Sequence, residues 1–210
     1  MSRTLTGLYD SYDDAKITIA ELQNSGVKAD QISVLANNAR GDYNVIASEG
    51  NEAGPGAEAG AAFGAITAGG TGLMAGLGML VIPGIGPVVA GGWLLATAIG
   101  LAGGAVVGAA AGGLVGTMVG NGVLDEAANI NAEGVRRGGT LVTVRIEDPM
   151  VPVAGAILAK HRPVNLAERG REYRVAGWTR FDAAAPPYTP TALPRERVIT
   201  PAPHTTLAAE

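Results

Sequence analysis

The sequence predicts an α+β domain with a ferredoxin-like order of strands and helices, interrupted by a long glycine-rich α-helical hairpin and followed by a disordered C-terminal tail. Three observations predict it. Strand and helix signals alternate at both ends of the chain, no charged residue occurs between Glu58 and Asp125, and prolines recur after Phe181. These features divide the chain into residues 1–52 and 124–180 as the two halves of the α+β domain, 53–123 as the hairpin and 181–210 as the tail.

The first strand is expected over Thr4–Tyr9, where Leu5 and Leu8 are apolar. Ser11 and Asp14 then stand at capping-box spacing, and Ala15, Ile17, Ile19, Ala20 and Leu22 supply an apolar helix face that ends near Gly26. After the Lys28-Ala29-Asp30 turn, Ile32, Val34 and Leu35 centre a second strand over Gln31–Ala36. Asn37–Gly56, rich in Asn, Gly and Glu, reads as a loop.

Glycine recurs every fourth residue at Gly100, Gly104, Gly108, Gly112, Gly116 and Gly120, and an earlier run carries Gly60, Gly64, Gly72 and Gly76 at the same step. Residues four apart share a helix face, and small residues there let two backbones approach closely, as helices do in lipid. These ten glycines are therefore the candidate helix-packing and self-association residues. Ile82-Pro83-Gly84-Ile85-Gly86-Pro87 breaks the segment into two expected helical legs, Ala59–Val81 and Val88–Val123. The first leg, roughly 34 Å long at about 1.5 Å per residue, matches a ~30 Å hydrocarbon layer. The second is too long for one upright crossing and is expected to bend or protrude. A four-residue step overshoots the helical turn by about 40°, so the stripe winds around the helix and calls for several neighbours, which favours oligomerisation.

Beyond the hairpin, Leu124–Gly138 reads as a helix with an acidic start at Asp125-Glu126 and a basic end at Arg136-Arg137. Thr140–Ile146 alternates as a strand, Pro149–Lys160 follows as a helix, and Val164–Leu166, extended through Tyr173-Arg174-Val175, is expected to be the last strand. The Pro, Thr and Ala of the tail cannot build a core.

Composition excludes several functions. A net charge of -4 and a pI near 5.2 leave no footprint for nucleic acid. With no cysteine there is no disulfide, thiolate nucleophile or thiolate metal site. No Walker-type glycine-lysine motif accompanies the glycine runs, and His161 and His204 lack ligand spacing to other residues. No cofactor, metal or small-molecule substrate is expected, nor an enzymatic activity. The Asp10, Asp13 and Asp14 cluster suits a helix start better than a cation site. Arg136-Arg137 reads as a solvated helix end with anionic lipid headgroups as the rival, and Trp93 suits either an interfacial anchor or a packing residue. No signal-peptide core precedes Asp10.

Several short segments together resemble the bacterial heat-induced or general stress protein domain (YflT-like), including members with a glycine-rich hydrophobic insert. They are Gly7-Leu8-Tyr9-Asp10-Ser11-Tyr12-Asp13-Asp14-Ala15, Asp30-Gln31-Ile32-Ser33-Val34, Ile82-Pro83-Gly84-Ile85-Gly86-Pro87 and Glu133-Gly134-Val135-Arg136-Arg137-Gly138-Gly139 before Leu141-Val142-Thr143-Val144. Ala176-Gly177-Trp178 and Ala185-Pro186-Pro187-Tyr188-Thr189 complete the set. The resemblance implies a stress-associated α+β domain and carries no catalytic residue set. The expectation is a non-enzymatic stress protein whose hairpin associates with the lipid bilayer or self-assembles. Because all Lys and Arg lie outside the hairpin, an inner-membrane protein with its soluble parts in the cytoplasm is expected. The alternative is a cytoplasmic homo-oligomer with its hairpins buried between subunits.

Overall fold

The structure, a computed structural model, describes residues 2–39, 78–82, 84–94, 97 and 109–188. Five strands, β1 (Ser2–Tyr9), β2 (Ile32–Asn37), β3 (Gly78–Ile82), β4 (Gly86–Gly92) and β5 (Thr140–Glu147), form one antiparallel sheet in the order β1-β5-β2-β4-β3. Five α-helices accompany it among the described residues: α1 (Tyr12–Asn24), α2 (Ala109–Gly120), α3 (Asp125–Arg136), α4 (Val151–Lys160) and α5 (Leu166–Val175).

The local chemistry accounts for most boundaries. Ser11, extended at φ -112 and ψ 130, caps α1 by accepting from the Asp14 N–H at 3.4 Å, and Gly26 leaves the helix at φ +98. In β5, side chains alternate between two faces, with Val142, Val144 and Ile146 on one and Leu141 on the other. The first face packs on α1 and α4 through Ala15, Ile19, Leu22, Ala154 and Leu158. The second packs beneath α2 and α3 through Leu114, Met118, Ala128, Ala132 and Val135. Gly134 permits the closest approach there, since a Cβ on it would lie 2.4 Å from Leu8 Cδ2. Burial of some dozen large apolar side chains at about 1.5–3 kcal/mol each is what holds the layers together.

β5 lies between β1 and β2 and runs antiparallel to both, so β1, α1 and β2 make a unit whose two strands are parallel but separated by a third. The sheet then continues past β2, where Ser33–Asn37 pair with Val88–Gly92 of β4.

That continuation corrects the helical-hairpin expectation. The Ile82–Pro87 turn joins two strands, and the parts of the expected helical legs at 78–81 and 88–92 are strand. The free edge of β2 supplies hydrogen-bond partners, and Val88 and Ala90 bury on the α3 side, so tertiary pairing prevails in a β-branched run bounded by glycines. The later part of the second leg is helical, as α2. Of the ten candidate glycines, Gly112, Gly116 and Gly120 lie in α2, while Gly60, Gly64, Gly72, Gly76, Gly100, Gly104 and Gly108 lie outside the described residues.

The expected last strand is the helix α5. Asn165 caps it, its Oδ1 accepting from the N–H groups of Ala167 and Glu168, and only Val164 makes a strand-like contact, donating to Leu8 O at 2.7 Å. The first residues of the segment expected to be a disordered tail pack on the domain. Residues 181–188 are ordered against the domain, with Phe181 buried in the core, and 189–210 lie outside the described residues.

Candidate functional site

Two places on this frame bring functional candidates together. The first is the outer face of α2. Leu114, Thr117 and Met118 turn inward and are buried, so Gly116, Val119 and Gly120 face outward and are exposed. No described atom lies within 4 Å of a Cβ built on Gly116 or Gly120. Helical spacing thus gives α2 one packed side and one side of small, apolar residues open to a neighbour.

The second lies where the C-terminal end of α3 meets α5 and the strap 181–188. Glu133, Arg136 and Arg137 stand three and four residues apart and share a helix face. The Glu133 carboxylate is 1% exposed and accepts from Arg136 Nη1 at 3.0 Å and from Arg137 Nε at 2.6 Å. Arg137 is also stacked, its guanidinium carbon 4.2 Å from the Tyr173 ring centre and 5.1 Å from that of Tyr188. Tyr173 in turn meets Trp178 edge-on at 5.6 Å. Burial pushes the Tyr173 phenol up from its ordinary range, opposed by the guanidiniums of Arg169 and Arg137. Arg169 itself is held protonated by a two-pronged pair with Asp10, at 2.9 and 2.7 Å.

The strap is fastened along its length. The Phe181 N–H donates to Asn129 Oδ1 at 3.2 Å, and Pro186 O accepts from Arg136 Nη2 at 3.0 Å. It passes directly over the β3–β4 turn, where a Cβ on Gly84 would stand 2.8 Å from Asp182 O, and Gly84 itself adopts φ +75. Asn37 ties the same turn to α3 by donating to Ile85 O and Arg136 O. Four of the segments singled out in the sequence, around Ile82–Pro87, Glu133–Gly139, Ala176–Trp178 and Ala185–Tyr188, therefore converge at one corner of the molecule.

The remaining candidates have structural partners. Asp10 pairs with Arg169, Asp13 with Lys16 and Asp14 with Arg162. Trp93 is a packing residue: it is 8% exposed, donates through Nε1 to Gln31 O at 3.1 Å and carries the Arg145 guanidinium over its ring. Lys160 Nζ donates to Glu21 Oε1 at 2.7 Å and Oε2 at 3.0 Å, His161 Nε2 lies 2.6 Å from the same Oε2, and Lys160 first and His161 second hold the Glu21 carboxyl below its usual range. His204 lies outside the described residues. Sequence reading marked Arg136-Arg137 but missed Glu133, Tyr173 and Tyr188 as their partners. The three- and four-residue spacing of Glu133 to the arginines was the available signal.

Among the described residues, no helix is long and apolar enough to cross a membrane. The fold and site define the chain as an α+β protein with an arginine–tyrosine corner and an exposed glycine face. Searches of family models, curated proteins and solved structures find no match to it.

Proposed function

We propose that this is a non-enzymatic, stress-associated protein that assembles through its glycine-rich segment, with lipid bilayer or a second copy of the chain as the partner. The observation that carries this reading is the open outer face of α2, where Gly116 and Gly120 project no side chain and meet no described atom. A helix spends stability to keep such a surface, because each interior glycine costs roughly 1 kcal/mol against alanine. Close backbone approach by a neighbour is the return on that cost. The parallel β1 and β2 flanking β5 support a ferredoxin-like scaffold, in which α5 follows α4 in the chain where the fourth strand would be expected.

In the membrane form the parts of the uncharged stretch between Glu58 and Asp125 other than β3, β4 and the buried side of α2 enter the inner membrane, and the sheet and the flanking parts stay in the cytoplasm. In the alternative form the protein is a cytoplasmic homo-oligomer. Carbonate-washed membranes and light scattering separate the two, since an integral protein stays with the washed membrane and a released large species supports the oligomer. Gly116→Leu combined with Gly120→Leu should abolish whichever association the wild type shows while leaving circular dichroism unchanged. Membrane retention and particle size both equal to wild type in that variant would refute the assembly role of the glycine face.

A further inference from the structure

Residues 181–188 lie on the body of the protein as a bound peptide lies in a groove. The strap follows the exposed residues Thr179 and Arg180, and within it only Phe181 is buried, in the same apolar cluster as Ile82 and Ile85. Its main chain is clamped at two points, the Phe181 N–H by Asn129 Oδ1 at 3.2 Å and Pro186 O by Arg136 Nη2 at 3.0 Å. The Tyr188 ring stacks with the guanidiniums of Arg136 and Arg137, at 5.7 and 5.1 Å. Two glycines leave the room that the strap occupies: a Cβ on Gly84 would stand 2.8 Å from Asp182 O, and one on Gly86 would stand 3.3 Å from Pro187 Cβ.

The strap also sets its own shape. Asp182 Oδ1 accepts from the Ala184 N–H at 2.8 Å, Asp182 O accepts from the Ala185 N–H at 3.3 Å, and Pro186-Pro187 restrict the backbone that follows. A segment whose turn is fixed locally loses little freedom on docking, and it presents the same anchors to any groove of the same form. No described strand or helix follows it, and the chain ends 22 residues beyond Tyr188, at Glu210. Withdrawing the strap therefore pulls no described element out of the domain.

We propose that the groove between the β3–β4 turn and the C-terminal half of α3 is a peptide-docking site, filled by the chain's own strap in the single molecule and by the strap of a second copy when two chains meet. Exchange keeps both clamps and both aromatic anchors and changes only the hinge at Thr179-Arg180, which makes it a low-cost route to a dimer. Held by so short a hinge, the strap meets its own groove at an effective concentration on the order of millimolar, so weakening one strap opens its groove to another. The contact is separate from the outer face of α2 and stands whether or not that face is an interface.

The test uses full-length chains that also carry Gly116→Leu and Gly120→Leu, so that association through α2 does not enter the reading. A labelled peptide of residues 179–188 should bind the Phe181→Ala chain at least tenfold more tightly than the chain with an intact strap, whose groove is filled. The same peptide carrying Phe181→Ala should bind neither. Should Phe181→Ala not fold, Tyr188→Ala, which lies outside the apolar core, weakens the strap in its place. Exchange itself is read by complementation. The Phe181→Ala chain keeps a groove but has a defective strap, whereas Gly84→Ala obstructs the groove and keeps the strap. Asn129→Ala, which removes a clamp without touching the turn, is a second groove-defective chain. In sedimentation each chain alone should be monomeric, and the mixture of a strap-defective with a groove-defective chain should yield a one-to-one dimer. Equal peptide binding by the strap-defective and intact-strap chains, or a mixture that stays monomeric, overturns the proposal.

Discussion

Replacing Gly116 by alanine should move two measurements in opposite directions. In the isolated chain the new methyl group meets no described atom within 4 Å, so there is no steric cost to set against the gain in helix propensity. That gain is roughly 1 kcal/mol, because alanine restricts the unfolded backbone and glycine does not. For a chain of 210 residues it corresponds to a rise of about 3 °C in melting temperature. In an assembly that uses the outer face of α2, the same methyl group enters a close backbone contact and costs about 1–3 kcal/mol per overpacked site. The dissociation constant should then rise by roughly tenfold to a hundredfold. Dilute thermal unfolding reads the first effect, and sedimentation equilibrium across a concentration series reads the second. A higher melting temperature with unchanged association would show that α2 is exposed without being an interface. A lower melting temperature in dilute solution would show that Gly116 is packed within the chain itself, and the reasoning would fail at its first step.

Gly134→Ala tests the opposite environment. Its methyl group would overlap Leu8, which is buried at 1% exposure, so a net loss of about 1–2 kcal/mol is expected in urea unfolding despite the better helix former. Glu133→Ala leaves Arg136 and Arg137 without their shared carboxylate and loosens the strap, and the unfolding midpoint should fall by the equivalent of about 2 kcal/mol, discounted from the fully buried value because both guanidiniums are partly exposed. Stability should also decline at alkaline pH. Burial raises the phenol pKa of Tyr9 and Tyr173, so the folded state keeps protons that the unfolded state begins to release near pH 10. Their contribution is fully present below that point and is lost as the pH rises toward the folded pKa. Tyr173→Phe should flatten the slope between about pH 9.5 and 11 in a melting-temperature series, and an unchanged slope would rule out this residue as its source.

Several elements were legible in the residues because short-range chemistry decides them. Ser11 with Asp14, and the acidic-to-basic run of Asp125 to Arg137, mark α1 and α3 by capping and dipole, and alternation in Leu141–Ile146 marks β5. Other elements depended on partners distant in the chain. Gly78–Gly92 is apolar and glycine-rich, so its pattern suits a buried helix as well as a buried strand, and the unfilled edge of β2 selected the strand. Val164–Val175 offered β-branched residues at its ends, yet the Asn165 cap made the segment between them helical. The arginine–tyrosine corner was half visible: Glu133, Arg136 and Arg137 lie on one turn of helix, but Tyr173 and Tyr188 reach them from 36 and 51 residues beyond Arg137.

The sequence alone determined that this is an α+β chain with a cysteine-free, uncharged, glycine-rich middle, since propensity, capping and composition act within a few residues. The tertiary structure decided which part of that middle joins the sheet, which glycines of α2 face outward, and which aromatic rings close around Arg137. Those outcomes depend on strand pairing and side-chain packing between distant segments, and no local pattern carries their geometry.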